Sequence, residues 1–182
     1  MSAFLFTSVN FYIIAFIYSI LNKVQLSRDK TIKRKETYIA KRYNQFKKKY
    51  DNIIKSFFNN NFYEAVTYSI MIYEDFNRPM IVRWIEYLSF FISKKKHTLG
   101  IMQVMTSKYI NNEESIRLAI RKIKEDGEKI QEKKYNHKSS FAYAIAKQYN
   151  GGDYSYADEV QEVYIFISQK FYNILDENVA GV

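Results

Sequence analysis

The chain has 182 residues, enough for one sizeable core with appendages. Lys and Arg number 28 against 19 Asp and Glu, a net charge of +9, and no cysteine is present. That absence excludes a disulfide framework, a thiolate metal site and a thiol nucleophile. One proline and five glycines leave little punctuation for strands and turns, so the spacing predicts an all-α protein. The charge is concentrated: residues 23–55 hold 12 Lys/Arg against Asp29, Glu36 and Asp51, while the rest of the chain is neutral, 16 against 16. A nucleic-acid-binding domain carries its charge on its own face, so no nucleic-acid partner is expected. A basic run beside a membrane segment points instead to anionic lipid. His97 and His137 stand 40 residues apart without ligand-spaced carboxylates, so no metal site is expected.

Residues 2–22 contain no charged side chain, and about 20 apolar residues span a bilayer as a helix. No basic region opens the segment and no small-residue cleavage site closes it, which predicts an uncleaved transmembrane anchor rather than a signal peptide. A basic juxtamembrane helix follows over 23–58. Within it Ile39, Tyr43, Phe46, Tyr50, Ile53 and Phe57 recur at heptad spacing, as in a short coiled coil or, more simply, a first helix packed on the core. Asn59-Asn60-Asn61 predicts a break. A helix over Phe62–Phe76 follows, with Val66, Ile70 and Tyr73 on one face. Pro79 suits the first position of the next helix, which runs to about Ile92. Ser93–Leu99 reads as a basic loop. Asn112 is expected to cap a helix with Glu113 and Glu114 in its first turn, reaching about Lys134. Ser139 or Ser140 caps a helix ending at Tyr149, and Tyr156–Asp176 forms the last.

Two glutamates have settings suited to acid–base work. Glu86 lies in Ile81-Val82-Arg83-Trp84-Ile85-Glu86-Tyr87-Leu88, and apolar surroundings raise a carboxyl pKa towards the range of a proton donor. An exposed ion pair with Arg83 or with Lys94–Lys96 is the plainer explanation of the same residue. Glu74, beside Asp75, has a like-charged neighbour that could raise its pKa, or it caps and pairs with Arg78. Gly100 and Gly151-Gly152 suit backbone that approaches a ligand or adopts positive φ.

Taken in order, Glu86, then Gly100-Ile101-Met102-Gln103-Val104, then Tyr149-Asn150-Gly151-Gly152 resembles the soluble lytic transglycosylases and goose-type lysozymes. The likeness covers about residues 62–168. Ile101 for Leu, Gly151 for Ala and Tyr87 after the glutamate are departures. The resemblance implies a lysozyme-like helical domain over 62–176, with Glu86 as the catalytic acid/base; Glu74 competes for that role only on its local acidic setting. It implies that Gly100, Met102 and Gln103 line sugar subsites, that Tyr149 hydrogen-bonds Glu86, and that Asn150 meets an N-acetyl group. Glu86 stands fourteen residues before Gly100 and Glu74 twenty-six, which favours Glu86 in the family pattern.

Residues 87–99 contain no Asp or Glu to activate water for inverting hydrolysis. The expected reaction is therefore lytic transglycosylation of the MurNAc–GlcNAc β-1,4 bond in peptidoglycan, with a 1,6-anhydro-muramoyl product and no cofactor. The expected location is the inner membrane, with the domain facing the periplasm or cell wall. The positive charges after the span favour the opposite orientation. A non-catalytic lysozyme-like membrane protein that binds glycan, anionic lipid or a protein partner is the other reading.

Overall fold

The computed structural model describes residues 28–78, 80–93, 96–130 and 135–174. The expected anchor 2–22, Pro79, the expected helix end near Lys134 and the last turn to Asp176 lie outside them. Among the described residues six helices and one short hairpin follow in chain order: α1 Arg28–Phe57, α2 Asn61–Asn77, α3 Met80–Ser93, β1 His97–Leu99, β2 Val104–Thr106, α4 Asn112–Ile130, α5 Lys138–Tyr149 and α6 Tyr154–Tyr172. The all-α expectation holds at this level. Among the described residues no helix is long and apolar enough to cross a membrane. The chain divides into Met1–Tyr38 and Ile39–Val182. Of the first unit the described residues are the opening turns of α1, where Thr37 Oγ1 donates to the Lys33 carbonyl at 2.7 Å.

The second unit is built around α2, whose residues Ala65–Ile72 are buried without interruption. A helix apolar on all sides belongs in the centre of a core. The one-sided pattern expected from Val66, Ile70 and Tyr73 is therefore corrected to burial all round. Two hydroxyls in this run satisfy themselves locally, Thr67 Oγ1 donating to the Tyr63 carbonyl at 2.8 Å and Ser69 Oγ to the Ala65 carbonyl at 2.7 Å. Helices α5 and α6 pack on α2, with Phe62 stacked on Phe141 at 5.1 Å and edge-on to Tyr164 at 5.6 Å. Ile116, Ile120 and Ile123 of α4 close the core from the other side.

From Ile39 onward α1 belongs to this unit. Its Tyr43 ring stacks on Phe171 at 4.1 Å and meets Tyr68 edge-on at 5.0 Å. Ile39, Tyr43, Phe46 and Tyr50 are buried as the spacing predicts, but the next buried pair is Ile54 and Phe58, not Ile53 and Phe57. A straight helix turns every 3.6 residues and drifts off a strict heptad, so the seam closes with steps of four. The lysines flanking it are partly engaged: Lys47 Nζ donates to Tyr43 Oη at 3.0 Å and lies 5.4 Å from the Tyr172 ring centre.

Of the segment expected as a basic loop, Ser93 ends α3, Lys94 and Lys95 lie outside the described residues, and His97–Leu99 form β1, paired antiparallel with β2 in the register His97–Thr106, Thr98–Met105, Leu99–Val104. The tight reversal Gly100–Gln103 joins the two. Helix α4 is capped one residue earlier than expected, by Asn111 rather than Asn112: Asn111 Oδ1 accepts from the Glu114 amide at 2.9 Å while Glu114 Oε2 accepts from the Asn111 amide at 2.8 Å. This reciprocal pair is a capping box. Helix α5 begins at Lys138 after His137, which makes no side-chain cap, and Asp153 caps α6 by accepting from the Tyr156 amide at 3.2 Å.

Candidate active site

A cleft of about 680 Å³ opens where the C-terminal end of α2, the hairpin and the α5–α6 turn meet. Its lining includes Glu74, Arg78, Gln103, Tyr149, Asn150 and Tyr156. Three pieces of sequence singled out above therefore converge, the α2 glutamate, the Gly100–Gln103 turn and the Tyr149–Gly151 turn. Glu86 is not among the lining residues.

Glu74 projects from the last turns of the buried helix α2 and is only 7% exposed. Tyr156 Oη donates to its Oε1 at 2.9 Å. Burial pushes the Glu74 carboxyl up to about 7, aided by the nearby Glu86 charge; the Tyr156 hydrogen bond and the Arg78 charge hold it from rising further. A carboxyl titrating there can both donate and accept a proton near neutral pH. Its neighbour Asp75 points elsewhere, because successive helix residues are about 100° apart. Asp75 is held by Arg42 Nε at 2.6 Å and by Arg83 Nη2 at 2.9 Å, tying α1 and α3 to α2.

Glu86 is half-buried on α3 and accepts from Arg78 Nη1 at 2.5 Å, whereas Arg83, one of its expected partners, pairs with Asp75; Lys94 and Lys95 lie outside the described residues. The same nitrogen donates to Gln103 Oε1 at 2.7 Å and to Thr98 Oγ1 at 3.0 Å. Arg78 is thus the hub of a polar cluster on the hairpin side of the cleft. Glu86 Oε2 is buried without a hydrogen-bond partner among the described residues.

The Gly100 turn is sterically defined. Gly100 has φ +75°, and a Cβ there would lie 2.3 Å from Ser115 Cβ, so only glycine fits. Gln103 also takes a left-handed φ, +48°, which costs free energy for a side chain with a Cβ. The turn holds it by Gln103 N donating to the Gly100 carbonyl at 3.2 Å and Nε2 to the same oxygen at 3.0 Å. Met102 is fully buried and lines the core rather than the cleft. Tyr149 Oη donates to the Met102 carbonyl at 2.7 Å. The role expected of Tyr149 is thereby corrected: it fixes the turn, whereas Tyr156 is the tyrosine bonded to the cleft glutamate. Lys122 donates to the Tyr149 carbonyl and lies 4.7 Å from the ring centre of Tyr149. Asn150 is exposed at the end of α5, and Gly151 and Gly152 follow with φ +73° and +104°.

Sequence reasoning missed Tyr156 and Arg78 as site residues. The spacing of Tyr156 three residues after its helix cap gave no sign that it reaches back to α2. No group of three or more His, Asp or Glu able to hold a metal is found among the described residues. Comparison with protein-family models, with curated proteins and with solved structures found no match to this chain.

Proposed function

We propose that this protein is a peptidoglycan lytic transglycosylase, cleaving the MurNAc–GlcNAc β-1,4 bond with one glutamate as acid and base, and that Glu74 is that glutamate. The observation that carries the reading is the placement of Glu74: buried, at the wall of a cleft shared with Gln103, Tyr149 and Asn150, and titrating at about 7. The geometry favours it over Glu86, which is not among the lining residues and whose carboxylate is engaged by Arg78.

The chemistry follows from one carboxyl in two protonation states. Protonated Glu74 gives its proton to the glycosidic oxygen as the C1–O bond of the muramic sugar breaks, and positive charge develops at C1. Glu74, now a carboxylate, takes the proton of the same sugar's C6 hydroxyl as that oxygen bonds to C1. The product is a 1,6-anhydro sugar, and the glutamate regains its proton without water being consumed. Tyr156 positions Oε1 throughout. Arg78 orders Gln103 and Thr98 on the hairpin, and Glu86 holds Arg78 in place, so Glu86 is a positioning residue.

This substrate lies outside the cytoplasmic membrane, so the reading requires the compact unit to face the cell wall with 2–22 as its anchor. A topology reporter fused after Val182 tests that orientation. The activity is tested by incubating the full-length chain with purified peptidoglycan and weighing the muropeptides by mass spectrometry. Products lighter by one water at the muramic end are expected. Reducing ends would mean hydrolysis, and no release of either product would leave a glycan-binding module with a lysozyme-like cleft.

A further inference from the structure

Helix α3 is apolar in composition yet buries little of itself. Trp84, Ile85, Leu88 and Phe91 are all more than half exposed, Trp84 at 67%. Residues 84, 88 and 91 follow the i, i+4, i+7 spacing of one helical stripe, with Ile85 beside it. Tyr109, also mostly exposed, widens the stripe: its ring lies 6.0 Å from Phe91, stacked, and 5.7 Å from Tyr87. These aromatic rings border a groove of about 550 Å³. An apolar surface of this extent marks a binding face.

Lysines predominate among the charged residues around it; the acidic exceptions are Glu113 and Glu114 after the lining Asn112, of which Glu114 is engaged by the Asn111 amide. Lys94, Lys95 and Lys96 follow α3 directly in the sequence, and the exposed Lys108 precedes Tyr109. The one carboxylate on α3, Glu86, is engaged by Arg78, and the charge of Arg83 is met by Asp75. An apolar stripe bordered by lysines complements an anionic lipid surface, where amphipathic helices lie with aromatic side chains at the level of the headgroups. Aliphatic Val82, Ile85 and Leu88 interleave with the rings, which suits acyl chains better than the flat faces of sugars. The chain also carries the uncharged stretch 2–22, of spanning length, so a bilayer is an apolar phase within its reach.

We infer that the α3 face docks on an anionic phospholipid bilayer, with Trp84, Leu88 and Phe91 among the acyl chains and Lys96 at the headgroups. Trp84 is the chain's one tryptophan, so indole emission, excited at the red edge beyond tyrosine absorption, reports this face alone. The full-length protein is reconstituted into phosphatidylcholine vesicles with and without phosphatidylglycerol, and emission is compared with that from vesicles of lipid brominated near the headgroup end of the acyl chains. A blue shift and quenching by bromine are expected, both larger with phosphatidylglycerol. A double Leu88→Glu, Phe91→Glu variant changes only exposed positions, keeps its helical circular dichroism and loses most of the quenching. Emission typical of water-exposed indole in both vesicles would overturn the inference. So would a blue-shifted emission indifferent to brominated lipid, since protein would then cover the face, either residues 2–22 or a second copy. Undiminished quenching of the folded double variant would overturn it as well.

Discussion

Replacing Glu74 by Gln separates the consequences of one buried proton from everything else in the fold. Between the ordinary carboxyl value of 4.5 and about 7, the native protein keeps a proton on Glu74 that the unfolded chain has already released. Unfolding in that window releases a proton, so stability falls as pH rises. A tenfold difference in proton affinity between the folded and unfolded chains is worth about 1.4 kcal/mol, and the whole contribution is about 3 kcal/mol. It is fully present below pH 4.5 and is lost as pH rises through about 7. Gln can still accept from Tyr156 and carries no charge at any pH. The stability of Glu74→Gln relative to wild type should therefore rise by about 3 kcal/mol from the acid to the alkaline side of that window. Urea unfolding of both proteins at a series of pH values measures the difference. Glu64 and Asp126 also titrate above their ordinary values through burial, but both proteins contain them and their effects cancel in the comparison. A difference flat across pH would refute the buried-proton account of Glu74, whatever the protein's activity.

In the peptidoglycan digestion, Glu74→Gln should lower turnover by about 10²-fold or more, the usual worth of a positioned acid or base. Glu86→Gln should lose less than Glu74→Gln, and the alkaline limb of its pH–rate profile should fall at lower pH, because the Glu86 charge is one of the influences raising Glu74. Tyr156→Phe should move that limb the other way, since its hydrogen bond lowers the Glu74 value; equal profiles in the two variants would remove both positioning roles. Asp75→Ala leaves Arg42 and Arg83 facing a buried void and should cost about 3 kcal/mol or more in urea unfolding. Gly100→Ala combines a left-handed φ with a clash on Ser115 and should cost about 3 kcal/mol, partly recovered by Ser115→Gly.

Helix periodicity made the order of elements legible, because long apolar repeats leave few other arrangements. It failed where geometry is set by contacts distant in sequence. Three-residue strands such as His97–Leu99 are too short for alternation to show. The Asn111-x-x-Glu114 box was readable in the sequence, yet Asn112 stood one position nearer the apolar repeat. The two glutamates are the most instructive case. Glu86 looked set among apolar neighbours, but Trp84, Ile85 and Leu88 face outward while the Glu86 carboxylate turns to Arg78, so apolar company in sequence did not mean an apolar environment in space. Glu74 sits at the end of a helix buried all round, and its partner Tyr156 is 82 residues away. Spacing along the chain carries no record of such a contact.

The glycines of the cleft differ in how freely they can change. At Gly100 both handedness and volume are fixed, since Ser115 occupies the space of any side chain. At Gly151 no atom lies within 4 Å of a would-be Cβ, and only the φ of +73° restricts the choice. Asn tolerates that conformation and would add an amide at the rim of the cleft, next to Asn150. The two turns thus age differently under mutation. The hairpin turn is frozen, while the α5–α6 turn is free to drift in chemistry at constant shape, and variation in what the cleft accepts has its easiest route there.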